Sequence, residues 1–205
     1  MNSRYQATHF LTSAHELRQL PPDQGCEVAF AGRSNAGKSS ALNTLTHQRS
    51  LARTSKIPGR TQLINFFQVE PGRYLVDLPG YGYAQVPDAV RHHWRSTLER
   101  YFNSRGALRG LLLLMDIRHP LTDLDCQMLE WCEQRPLASH ILLTKADKLK
   151  RGPALTVLDR VRRALNQHYP HASTQLFSAL TRLGVTEAHA KLDEWLGYRD
   201  QPTSP

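Results

Sequence analysis

Ala29-Phe30-Ala31-Gly32-Arg33-Ser34-Asn35-Ala36-Gly37-Lys38-Ser39-Ser40 runs from an apolar strand, through the pattern G-x-x-x-x-G-K-S, into the start of a helix. Glycine-rich backbone can wrap closely round a phosphate chain, with successive N–H groups turned inward as donors. Lys38 is placed to reach the β- and γ-phosphates, and Ser39 to offer its hydroxyl to Mg²⁺. The helix that follows turns its positive end toward the anion. Gly32, Arg33, Ser34, Asn35, Ala36, Gly37, Lys38, Ser39 and Ser40 are therefore candidate nucleotide-binding positions.

On both sides of this loop, apolar strands alternate with amphipathic helices. Strands are expected at 27–32, 63–69, 74–77, 110–116, 140–144 and 174–177, and helices at 37–46, 89–104, 122–134, 153–167 and 186–196. The run Leu111-Leu112-Leu113-Leu114 is apolar on both faces, as a central parallel strand must be. Glu70-Pro71-Gly72-Arg73 reads as a tight turn, which makes the strands on either side an antiparallel hairpin. The expectation is an α/β fold of three layers: a mostly parallel six-stranded sheet with one antiparallel strand and helices on both faces. Residues 1–24 read as an N-terminal arm with a short helix capped by Ser13, 25–198 as the nucleotide-binding domain, and 199–205 as a disordered tail.

The 205 residues suit one domain with a sizeable core. Twenty-six Lys and Arg against eighteen Asp and Glu leave a formal charge of +8, which points to an anionic partner beyond one nucleotide, nucleic acid above all. Cys26, Cys126 and Cys132 form no C-x-x-C pair, which suits reduced thiols in the cytoplasm. No secretion signal follows Met1, and the apolar run 111–115 is too short to span a bilayer.

A phosphate loop alone does not choose between ATP and GTP. Thr144-Lys145-Ala146-Asp147 does, since it ends the apolar strand Ile141-Leu142-Leu143 and resembles the T-K-x-D guanine-recognition motif of translation-factor GTPases. The Asp147 carboxylate is set to accept from the N1–H and exocyclic amine of guanine, while Lys145 lays its stem along the base. Adenine lacks that donor pair and would leave the carboxylate unpaired, a cost of several kcal/mol. Asp77-Leu78-Pro79-Gly80 closes another strand and places Asp77 near Mg²⁺ through a water, with Gly80 offering an N–H to the γ-phosphate and a hinge. Before the hairpin, Pro58-Gly59-Arg60-Thr61-Gln62-Leu63 carries Thr61, the candidate second hydroxyl on Mg²⁺, flanked by Gly59, Arg60, Gln62 and Leu63 as nucleotide-binding candidates. Phe177-Ser178-Ala179 follows the last strand and can present backbone groups to the guanine O6.

With G-R-S-N-A-G-K-S, P-G-R-T-Q, D-L-P-G-Y-G-Y-A, T-K-A-D and F-S-A in this order, the chain resembles the bacterial EngB-type (YihA or YsxC) GTPases of the Era-like, TrmE-related class. The resemblance runs from about Leu11 to Leu196. It implies a P-loop GTPase domain that hydrolyses GTP to GDP with Mg²⁺. It also implies a monomeric switch in assembly of the large (50S) ribosomal subunit, with links to cell division and septation. It makes Asn35 a K⁺ ligand candidate; the residues alone equally suit an Asn that caps the turn. Tyr81 stands where Ras-like enzymes place a water-orienting Gln, so slow turnover is expected. Lys38, Thr61, Gly80 and Asn35 are the candidate catalytic positions. Arg49, Arg53, Lys56 and Arg60, and then Arg91, His92, His93, Arg95, Arg100 and Arg105 with Trp94 and Tyr101 among them, are candidates for RNA contact; core packing is the other reading of those aromatics. The rival functions are a scaffold that binds GTP with little turnover and an ATP-dependent kinase, which would have no use for Asp147.

Overall fold

The computed structural model describes residues 3–52, 63–82 and 88–198. Along the chain the elements are β1 (His9–Ala14), β2 (Cys26–Gly32), α1 (Lys38–Leu45), β3 (Ile64–Glu70), β4 (Arg73–Asp77), α2 (Asp88–Ser104), β5 (Leu108–Asp116), α3 (Asp123–Gln134), β6 (Ser139–Thr144), α4 (Arg151–His168), β7 (Ala172–Leu176) and α5 (Val185–Trp195). They build one seven-stranded sheet in the order β1-β3-β4-β2-β5-β6-β7. Strands β4, β2, β5, β6 and β7 pair in parallel, and β3 runs antiparallel to both of its neighbours.

Side chains alternate across each strand, so one strand feeds two cores. In β2, Ala29 and Ala31 face the layer of α2, α3 and α4, while Val28 and Phe30 face α1 and α5. In β5, Leu111 and Leu113 join the first core and Leu112 and Leu114 the second. Both faces are covered, which is why this strand is written as an unbroken apolar run. The result is the expected three-layer α/β sandwich.

The N-terminal region departs from expectation. No helix starts at Ser13. His9–Ala14 is instead a seventh strand, paired antiparallel with β3 across a register shift between Phe10 and Thr12, and Ser13 Oγ donates to Asn65 Oδ1 at 2.7 Å. A single 3-10 turn follows at Leu17–Gln19, boxed by Glu16 and Gln19 rather than by Ser13 and Glu16. The tail at 199–205 lies outside the described residues. Among the described residues no helix is long and apolar enough to cross a membrane.

Candidate functional site

The phosphate loop leaves β2 at Gly32 and enters α1 at Lys38. A Cβ on Gly32 would stand 2.7 Å from the Leu114 carbonyl oxygen, so the strand can turn here only as glycine. Asn35 and Gly37 are both left-handed, at φ 63° and 96°, which curls the loop backbone into an anion-accepting concavity. Lys38, at the first turn of α1, pairs its ammonium with the Asp77 carboxylate at the end of β4. Both side chains are largely buried, so the ion pair sits where a phosphate would compete for Lys38. Ser39 lies beside it at the start of α1.

The Thr144–Asp147 segment is tied to this loop by two contacts and to β5 by two more. Thr144 Oγ1 donates to the Ala36 carbonyl at 2.6 Å and lies 3.1 Å from that of Met115. Lys145, itself left-handed at φ 57°, reaches back so that Nζ donates to the Asn35 carbonyl at 2.7 Å. The same ammonium pairs with Asp116 Oδ2 at 2.9 Å. Asp116 ends β5 and also receives both arms of Arg118; these bonds, led by Arg118 and joined by Lys145, hold its carboxyl well below the usual carboxylate range. Asp147 accepts from Ser178 Oγ at 2.6 Å, and the Ala146 N–H donates to the Phe177 carbonyl at 3.1 Å. The segments 32–40, 77–80, 144–147 and 177–179 thus converge at the C-terminal ends of parallel strands, where open α/β sheets bind ligands.

A family profile described as a 50S ribosome-binding GTPase matches residues 27–145. A probable GTP-binding protein EngB of Nitrosococcus oceani is 57% identical over 197 residues, covering 96% of this chain and 98% of the relative. The relative of the same description from Shigella flexneri is 56% identical over 95% of this chain and 92% of its own length. The chain belongs to the EngB family of P-loop GTPases. Its enzyme class is therefore GTP hydrolase. A crystal structure of a probable GTP-binding protein engB superposes with TM-score 0.68 at 18% identity, covering 85% of this chain and all of that one. Aquifex aeolicus Era bound to GDP and AlF₄⁻ superposes with TM-score 0.65 at 18% identity, over 89% of this chain and 60% of its own. At such identity the two structures support the fold.

Within this EngB-family chain, the donor set suits a hard cation only partly. Among the described residues no three His, Cys, Asp or Glu side chains cluster as a metal cage. Ser39 and Asp77 offer one hydroxyl and one carboxylate, which fits a Mg²⁺ that takes its remaining ligands from phosphate oxygens and water. Gly59, Arg60, Thr61 and Gln62 lie outside the described residues, as do Arg53, Lys56 and Ala84; Leu63 immediately precedes β3. Asn35 is exposed on the loop, with its carbonyl taken by Lys145.

Tyr81 is engaged elsewhere than at the phosphates. Its carbonyl accepts from the Ser34 N–H at 2.8 Å, and its hydroxyl donates to Asp125 Oδ1 at 2.8 Å. Asp125 is itself buried and caps α3 through Thr122. Burial pushes the Tyr81 phenol well above its ordinary range, so it remains a donor. Sequence reading missed Asp116 and Asp125. Asp116 carried a signal, as the acid that ends the apolar run of β5. Asp125 carried none, because it reads as an ordinary helix-start acid.

The RNA candidates divide. Arg105 does not face solvent: its guanidinium lies 2.5 Å from Glu27 Oε1 in the core. Trp94 and Tyr101 are buried as well, so core packing explains both aromatics. His92, His93, Arg95 and Arg100 remain on the exposed side of α2.

Proposed function

We propose that this protein binds GTP between the phosphate loop and the Thr144–Asp147 segment and hydrolyses it to GDP with Mg²⁺, as a switch in assembly of the large ribosomal subunit. The observation that carries the reading is the Thr144 side chain. It joins the strand end bearing Asp147 to the carbonyl of Ala36 in the phosphate loop, so base and phosphates are read by one rigid unit.

The roles follow from the chemistry. Asp147, held by Ser178, accepts from guanine N1–H and the exocyclic amine. Lys145 lies along the base, and Phe177, Ser178 and Ala179 present backbone groups to O6. Lys38 exchanges Asp77 for β- and γ-phosphate oxygens, and the amides of 32–40 neutralise charge that develops as the β–γ bridge breaks. Ser39 and Thr61 would hold Mg²⁺ directly and Asp77 through water; the ion would supply charge across the β- and γ-phosphates. Gly80 and Thr61 sense the γ-phosphate, and its departure releases both segments. Tyr81 has no group free to orient water, so turnover by the protein alone is slow. Asn35 is placed to help hold a K⁺ beside the phosphates. The partner is the precursor of the large subunit, met as a monomer in the cytoplasm, and the protein is needed for normal cell division and septation.

Competition between GDP and ADP tests the core of this reading. GDP should bind and ADP should not; equal binding would end it. Asp147→Asn should exchange guanine preference for xanthine, and unchanged GDP affinity would remove Asp147 from the base site. Hydrolysis compared in K⁺ and Na⁺, with and without large subunits, tests the switch; no stimulation in any condition would leave a nucleotide-stabilised scaffold. Subunit profiles after depletion of the protein should show a deficit of mature large subunits.

A further inference from the structure

The chain's formal charge of +8 is not spread evenly. Residues 148–168, the turn after the base-recognition segment and all of α4, hold Lys148, Lys150, Arg151, Arg160, Arg162 and Arg163 against Asp159 alone, a net +5. All six basic side chains are exposed. Arg163 pairs with Asp159 at 2.8 Å, one turn away, and Lys148 lies 3.8 Å from Asp147. Lys150, Arg151, Arg160 and Arg162 make no ion pair among the described residues. The neighbouring helix α3 is the opposite case, with acids at Asp123, Asp125, Glu130 and Glu133 and no Lys or Arg. A face selected for solubility alone intersperses the two signs; here they are sorted by helix.

The apolar stripe of α4, Ala154, Leu158, Val161 and Leu165, is spent on the core. What remains outside is mostly cationic and polar, with Leu155 the exposed large apolar side chain on it. The two basic groups, at 150–151 and 160–163, stand roughly 16 Å apart at 1.5 Å per residue, far enough to meet separate phosphates. No Trp, Tyr or Phe side chain lies among the exposed residues of α4, whose one exposed ring is His168 at its C-terminal end. Single-stranded RNA is usually held on stacked aromatics, whereas a duplex is held through its backbone and shape. We propose that the outer face of α4 docks the sugar–phosphate backbone of double-helical RNA. This rests on the ribosomal partner named above and adds the surface that meets it. That surface is separate from the Asp77–Gly80 segment, so it can stay engaged while that segment responds to the nucleotide.

The test is fluorescence anisotropy of an RNA duplex of about 20 base pairs, long enough for two grooves, titrated with the full chain across a range of KCl. The variant is Arg160→Gln, Arg162→Gln and Arg163→Gln together; a second, Lys150→Gln with Arg151→Gln, probes the other end of the helix. The triple variant should lose at least tenfold in affinity, and its log–log salt slope should flatten by about 2 to 3, at close to one condensed K⁺ released per phosphate contact. GDP binding and the melting temperature should not change. Affinity and slope equal to the unsubstituted protein's in both variants would overturn the proposal, as would poly(U) bound as tightly as duplex. If the triple variant fails to fold, the double variant decides by the same criteria. Failure of the GTPase reading shows separately, as absent GDP binding by the unsubstituted protein. Failure of the ribosomal reading shows as duplex binding that depends on these arginines with no co-sedimentation with large subunits.

Discussion

Glu27 has no exposed surface, and its charge is tolerable only because Arg105 and the Tyr101 hydroxyl, 3.0 Å away, surround it. Read along the chain, Arg105 belongs to a basic, aromatic stretch. Burial beside Glu27 is a property of the closed fold that no local pattern carries. Arg105→Gln should cost about 3–5 kcal/mol, the usual penalty for stranding one partner of a buried ion pair; urea unfolding monitored by circular dichroism checks it. His140 raises the opposite kind of question. It is buried against Ser173 and Gln175, and burial lowers its pKa, as it does for His189. Both are therefore neutral in the folded protein, whereas the unfolded chain takes up their protons below about pH 6.5. Stability rises with pH wherever the unfolded state binds more protons. The melting temperature should thus fall as pH drops from 7.5 through 5.5, and His140→Gln should flatten that slope. A pH-independent midpoint in this window would contradict the assignment.

At the scale of elements, what the sequence disclosed depended on which forces act locally. The phosphate loop, the β3–β4 turn and the five helices are written in short-range patterns, and each forms within a few residues of its expected place. Strand β1 is different. Its outer residues His9, Phe10 and Leu11 are exposed, so it shows neither an apolar run nor clean alternation. Pairing with β3 makes it a strand, and that partner lies more than fifty residues away in sequence. Its position is secured by Tyr5 just upstream, which is fully buried, stacks on the His189 ring at 4.9 Å and donates to Asp193 Oδ1 at 2.7 Å. Tyr5→Ala should destabilise the protein by about 3–5 kcal/mol through the cavity and the lost packing. Tyr5→Phe keeps the ring and should lose only about 1 kcal/mol, the net value of one hydrogen bond. Equal losses for the two variants would mean that the hydroxyl, not the ring, anchors the segment.

At the scale of the whole molecule, the proposed base-reading segment and the phosphate loop are joined by side chains that motif reading assigned to only one of them. Thr144 belongs by sequence to the guanine motif, yet its hydroxyl is spent on Ala36 of the phosphate loop; Lys145 reaches the same loop at Asn35 while Asp116 holds it from β5. Spacing named these residues but could not name their partners in the loop, because those two contacts cross more than a hundred positions of chain. One consequence is thermodynamic. A ligand that bridges both segments stabilises only the closed arrangement, so GDP at a hundred times its dissociation constant should add about 2.7 kcal/mol. For a chain of this size that raises the melting temperature by roughly 5–10 °C, with no rise for ADP. Thr144→Val removes the bridging hydroxyl while leaving Asp147 and Ser178 in place. It should cut the GDP-induced shift to less than half and weaken GDP at least tenfold without admitting ADP or xanthine nucleotides, whereas Asp147→Asn should alter which purine produces the shift. Affinity and preference would then fail in different variants, as they must if one residue couples the two halves of the site and the other reads the base. A Thr144→Val protein with the full GDP-induced shift would show instead that the halves recognise nucleotide independently and that the hydrogen bond to Ala36 is incidental to binding.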